Sequence, residues 1–294
     1  MRSKWARNNC SARYQNMRSS FPPRRAEGAS RRPAAISTLS KAPPALTAAR
    51  FLASMPRQYR DRHEKEAAAE HAAIVARRGQ AAVHAEIWRE LPDGGAIICV
   101  VADDRPGLLS LITAALAAER MDITAAHAYT RALADGAGAE AVDFLWLRRG
   151  GASVAPIRAR DIGRVVDVLR ALVAGERTPE SFARRSRPPP PSRPAAPTRV
   201  SFDTARDAGH AVLTIETSDR PGLLLAVTLA LFRAQVQIIA TEATTRNGRV
   251  VDRFTVAEQD GSPLRSERHD VVQTAVASAL KPLHNAPRSR PPRS

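Results

Sequence analysis

Apolar positions between residues 96 and 173 fall into a series of distinct registers. Ala96 to Val101 is an apolar run rich in β-branched residues, which predicts a strand. Leu108, Leu111, Ile112, Ala115 and Leu116 recur at helical spacing and share one face. Ile123 to Arg131 and Ala141 to Arg148 read as strands on either side of an Ala- and Gly-rich loop, Ala132 to Ala141. Ile162 to Val173 has the spacing of an amphipathic helix. The series then returns. Ala211 to Thr217 reads as a strand, and Leu223, Ala226, Val227, Ala230 and Leu231 share a helix face. Ile238 to Arg246 and Arg249 to Gln259 are strands about a tight Asn247-Gly248 hairpin, and Val271 to Leu280 is a helix.

The recurrence is visible in the letters as well as in the pattern. Asp104-Arg105-Pro106-Gly107-Leu108-Leu109 returns as Asp219-Arg220-Pro221-Gly222-Leu223-Leu224. At this offset, residues 104–131 and 219–246 share 14 identities in 28 positions. The match resumes after the hairpin loop, where Val142-Asp143 falls on Val251-Asp252. This is a duplicated domain. Each copy reads β-α-β-β-α and wants a fourth strand to complete βαββαβ. The fold class expected is therefore α+β, with two ferredoxin-like domains in tandem. Thr198 to Asp203, with Val200 and Phe202 alternating, is a candidate edge strand for either copy.

Upstream, Ala45 to Arg78 is full of good helix formers and predicts two helices broken near Met55-Pro56, followed by a short strand or turn region to Leu91. The boundaries that follow are a basic tail at 1–44, a helical connector at 45–92 and a first domain at 93–180. A Pro/Arg-rich linker occupies 181–197, a second domain 198–283 and a tail 284–294. The tails are too rich in Arg, Ser and Pro to bury a core and are expected to be disordered. The linker, with four prolines at 188–191, is expected to be a semi-rigid spacer.

Composition changes this picture little. The net charge of +16 invites a nucleic-acid reading, but its location argues against one. Residues 1–50 carry a net +10, residues 182–199 +5 and residues 281–294 +4, which leaves the foldable remainder near −3. A nucleic-acid-binding domain would place that charge on a folded face. No apolar run approaches the ~18–20 residues of a membrane span. The two cysteines, Cys10 and Cys99, do not make a disulfide framework.

The repeated turn is the candidate chemistry. It hands a strand over to a helix, so the N–H groups near Leu108 and Leu223 lie at the positive end of a helix dipole and suit a carboxylate. Asp104 and Asp219 beside them suit an ammonium group. Gly107 and Gly222 permit close backbone approach. Both charges together fit a free α-amino acid. The residues alone favour a second reading, in which Asp caps the helix, Pro106 and Pro221 open it and Gly shapes the turn.

A ferredoxin-like repeat with Asp-Arg-Pro-Gly-Leu-Leu, a strand ending Thr-Arg and then Val-Asp-x-Phe resembles the ACT domain, a small-molecule sensing module. Val251-Asp252-Arg253-Phe254 keeps the last motif, whereas Val142-Asp143-Phe144-Leu145 places the aromatic one residue early. Two such repeats in tandem resemble the C-terminal end of the bifunctional protein-PII uridylyltransferase/uridylyl-removing enzyme family. Phe51, Met55, Pro56 and Tyr59, followed by Glu70-His71, resemble the segment that precedes its ACT pair. Pro197 to Asp203 resembles the strand before its last ACT domain. The resemblance implies a cytoplasmic, glutamine-sensing regulatory chain. It implies as partners the PII protein or a separate catalytic chain, and a homo-oligomer formed through the ACT domains. The implied ligand-binding residues are Asp104, Arg105, Pro106, Gly107 and Leu108, with Asp219, Arg220, Pro221, Gly222 and Leu223 as the better-formed set. No cofactor and no metal is expected. The family's catalytic signatures, a Gly-Ser loop with paired Asp and a His…His-Asp metal cluster, find no match here. His269-Asp270 is the one His-Asp dipeptide, at the start of a predicted helix, and His63-Glu64 lacks the partner His of a metalloprotease motif. Two other readings stay open: a fragment of the transferase, and a ligand-free dimerisation module.

Overall fold

The computed structural model describes residues 46–133, 138–150, 155–183, 197–204 and 210–281. The basic tail, nearly all of the Pro/Arg linker and the C-terminal tail lie outside the described residues.

Three short helices come first: α1 (Ala48–Ser54), α2 (Arg57–Arg62) and α3 (Lys65–Arg78). The expected break at Met55-Pro56 is present, and a second falls at His63-Glu64. Two repeats of one pattern follow. The first is β1 (Val83–Glu90), β2 (Ala96–Asp103), α4 (Leu108–Ala118), β3 (Met121–Ala132), β4 (Ala139–Arg149) and α5 (Ala159–Val173). A single turn of helix, α6 (Glu180–Ala183), comes after it and buries Phe182. The second repeat is β5 (Arg199–Thr204), β6 (Ala211–Ser218), α7 (Leu223–Arg233), β7 (Val236–Arg246), β8 (Arg249–Glu258) and α8 (His269–Leu280).

All eight strands form one antiparallel sheet in the order β1-β2-β4-β3-β7-β8-β6-β5. Each half is the ferredoxin-like sheet with one change of connection. The fourth strand precedes its repeat as an antiparallel hairpin instead of following the last helix, so the chain order is ββαββα. In the first repeat this strand is β1, inside the segment read from sequence as a helical connector. In the second it is β5, the Thr198–Asp203 candidate, paired from Arg199↔Glu216 to Thr204↔Ala211. The edge place beside the first core strand is the same either way, which is why counting elements did not decide the order.

The halves join through β3 and β7, paired from Ala125↔Thr244 to Tyr129↔Ala240. Helices α4, α5, α7 and α8 cover one face of the sheet and enclose a single core across both repeats. Thr113 on α4 meets Thr228 on α7 at that joint, Oγ1 to Oγ1, at 3.2 Å. Helices α1–α3 cover the other face of the first repeat, packing Phe51, Met55, Tyr59 and Ile74 on Cys99, Val101 and Phe144. The strands record this difference. β2 is buried at seven consecutive positions because both its faces are covered. Its counterpart β6 alternates more nearly, with half-buried Val212 and Glu216 on the face that no helix covers. Among the described residues, no helix is long and apolar enough to cross a membrane.

Candidate functional site

The two Asp-Arg-Pro-Gly turns take the same local form. Gly107 and Gly222 sit in the left-handed region at φ 81° and 73° and act as the N-caps of α4 and α7. That conformation, which a side chain would strain, is why glycine stands there. The proline is in the turn before the helix, not at its first position. No side chain caps either helix, so the carboxylates are not capping residues. Asp104 instead accepts a hydrogen bond from Thr130 Oγ1 at 2.9 Å. Asp219 faces Arg148 of the other repeat, Nη2 to Oδ2, at 3.4 Å.

The turn arginines have structural partners. Arg105 Nη2 donates to the Val173 carbonyl at 3.0 Å and Arg220 Nη2 to the Leu280 carbonyl at 2.9 Å. Those carbonyls end α5 and α8, where a cation meets the negative end of the dipole. Leu108 and Leu223 are buried, and their N–H groups donate to the carbonyls of Arg105 and Arg220. The next N–H groups, those of Leu109 and Leu224, have no backbone acceptor and lead each helix.

Each turn opens on the other repeat. The second turn, with the start of β3 (Met121 to Thr124) and Arg148, lines a cavity of about 50 Å³. The first turn, with the start of β7 (Val236 to Ile239) and Phe232, lines one of about 30 Å³. The turn comes from one repeat and the facing wall from the other. Assembly across the joint could be foreseen only by knowing that β3 pairs with β7.

Further carboxyls complete the walls. Asp252 on β8 borders the second cavity and Asp143 on β4 the first. Both point to the helix side of the sheet and are 3% exposed. Burial, with Asp104 nearby, pushes the Asp143 carboxyl up to about 8, against the pull of the Tyr129 N–H. Burial raises Asp252 to about 7, opposed by the Thr244 N–H, with Asp219 adding to the rise. Asp122 borders the second cavity and is also raised by burial, while Arg148 at 3.7 Å draws it down. The second site therefore combines a helix N-terminus, two arginines (Arg148 and the Leu280-tied Arg220) and three carboxyl groups, those of Asp122, Asp219 and Asp252. Asp122, Asp143, Arg148 and Asp252 are not among the site residues expected from sequence. The Val-Asp-x-Phe repeat, which carries the family resemblance, holds Asp143 and Asp252, and it marks neither Asp122 nor Arg148.

The histidines pack elsewhere. His71 is fully buried beneath α1–α3, with Nδ1 2.6 Å from the Tyr59 hydroxyl. His63 lies between His71 and His127, its ring centroid 5.2 and 6.2 Å from theirs. Desolvation holds His63 at about 4 and His71 at about 3, so both are neutral. His269 stacks on Phe202. Among the described residues, no three His, Cys, Asp or Glu side chains are placed to hold a metal ion.

No model of a known protein family matches the chain. Curated proteins do. The bifunctional uridylyltransferase/uridylyl-removing enzyme of Rhodospirillum rubrum is 35% identical over 167 residues, 56% of this chain and 17% of that protein. Its namesake in Gluconobacter oxydans is 32% identical over 216 residues, 68% of this chain and 21% of that protein. The Streptomyces coelicolor enzyme is 26% identical over 192 residues, 64% of this chain and 22% of that protein. A solved structure, aspartate kinase from Synechocystis, is 14% identical and covers 64% of this chain and 40% of that one, at a TM-score of 0.19. That superposition adds nothing to the fold read from strand pairing. The chain thus spans about a fifth of the length of the curated relatives it matches. Over the aligned residues, it is a homologue of a part of the bifunctional uridylyltransferase/uridylyl-removing enzymes.

Proposed function

We propose that this chain is a regulatory sensor in which a pair of ACT-type repeats binds a free amino acid at their joint, with glutamine the first candidate. One observation carries the reading. The second-turn cavity brings Arg148 and the N-terminus of α7 within reach of a carboxylate, and Asp219 and Asp122 within reach of an ammonium group. A zwitterion needs both signs in one small space. Neither turn uses its aspartate as a helix cap, and both carboxylates stand on the cavity walls. The ligand would hold the two repeats in one arrangement and so bias a partner, either the PII protein or a separate catalytic chain, in the cytoplasm. Association of chains through these domains belongs to the same reading.

The test is calorimetric titration of L-glutamine into the chain and its Asp219→Ala variant. Losing the ammonium partner should weaken binding by ~1–3 kcal/mol, the usual loss for a charge-assisted contact. Gly222→Val should be worse, because valine resists a positive φ. Equal affinity in wild type and a folded Asp219→Ala variant would return the turn to a purely structural role.

A further inference from the structure

The two cavities are related by the internal repeat, but one wall differs. Helix α7 starts at the second turn and carries Phe232 near its end, where Phe232 borders the first-turn cavity. Helix α4 starts at the first turn, and the matching residue, Ala117, borders the second-turn cavity. Each helix therefore runs from its own turn to the other turn's cavity. A phenyl ring stands at the first site where the second has a methyl group.

The ring lies directly on the turn. A Cβ built on Gly107 would fall 2.6 Å from Phe232 Cδ2 and 2.8 Å from Cε2. That is the backbone a ligand carboxylate has to approach. The other walls follow suit. Gln237 stands where the second site has Asp122, and it is paired across the sheet with Ala257 where Asp122 is paired with Arg148. The first cavity is the smaller, about 30 Å³ against about 50 Å³.

We infer that Phe232 is an internal plug that closes the first-turn site, so that each chain binds one amino acid, at the second turn. This rests on the amino-acid reading above and deepens it. The plug and the open site are near opposite ends of one 11-residue helix, so the helix that a ligand touches at its N-terminus is the helix that keeps the other site shut.

The experiment titrates L-glutamine into the full chain and a set of exchange variants, with each fold checked by circular dichroism and thermal melting. Wild type should bind one equivalent. Phe232→Ala should bind two, and Phe232→Leu serves if alanine destabilises the helix. Ala117→Phe should lose the wild-type site by at least tenfold in affinity. The double exchange, Ala117→Phe with Phe232→Ala, should bind one equivalent that is sensitive to Asp104→Ala and insensitive to Asp219→Ala. Two equivalents in wild type overturn the plug and leave the amino-acid reading standing. So does a folded Phe232→Ala or Phe232→Leu variant that still binds one equivalent. No binding by wild type or by any variant overturns both.

Discussion

Asp143 shows how much a single buried group can set. Its folded carboxyl sits at about 8 against an ordinary 3.8, so the folded chain keeps a proton that the unfolded chain releases above about pH 4. The stability this contributes is complete below the unfolded value and is lost as pH rises through the folded one. One proton is worth at most ~1.4 kcal/mol per pH unit across that window. Asp143→Asn keeps the shape and removes the ionisation. It should flatten the decline in stability between about pH 4 and 8 and be the more stable form above that window. Urea unfolding of both proteins across that range decides it. Parallel curves would mean that the carboxyl is not held as an acid. At this scale the sequence was legible for residue types and not for roles. Asp104 and Arg105 line the first-turn cavity, and each also has a partner that the sequence does not indicate: Asp104 bonds Thr130 across a strand, and Arg105 ties its turn to the end of α5. Both partners are distant in sequence, and no local pattern encodes them.

Among elements, the departure at Phe144 has a physical reason. Moving the aromatic one place along a strand moves it to the other face. Phe254 points into the core beneath α7 and α8, whereas Phe144 points away from α4 and α5 and packs on Tyr59, His71 and Trp88. Leu145 fills the core place that Phe144 leaves. The irregular motif is thus the seat for the helical layer. Phe144→Ala should cost ~3–5 kcal/mol, as expected for a fully buried aromatic. It should also expose Tyr59 and the break at Met55-Pro56 to limited proteolysis before the sheet unfolds. Unchanged protection of α1–α3 would show that the layer is held by other contacts. Helices and core strands were legible because their periodicities are local. The edge strand β1 was less so, since Val83 to Glu90 has only Val83 fully buried and shows little alternation.

At the scale of the molecule, the sheet runs through both repeats without a break, and contacts other than β3 and β7 reinforce the joint. Arg62 of α2 reaches Glu242 of β7 at 2.7 Å, so the helical layer touches the second repeat as well. Thermal or urea unfolding should therefore be one cooperative transition. Trp88 and Trp146 report the first repeat by fluorescence, while far-ultraviolet circular dichroism reports both, and the two curves should coincide. Separate midpoints would show that the repeats unfold independently. Saturation with glutamine at a hundred times its dissociation constant should add ~2.7 kcal/mol to the single transition.

The covalent tie between the repeats has a consequence of another kind. Two identical subunits meeting edge to edge must dissociate on dilution, and every substitution in one is mirrored in the other. Here the halves stay together at any protein concentration, because the second half is always present at the effective concentration its tether sets. Each half can also vary alone. The exchange of Ala117 for Phe232 at matching places is available to a duplicated gene and closed to a symmetric pair, in which both pockets would fill or empty together. Duplication within one chain lets one pocket keep a job while its twin becomes part of the frame.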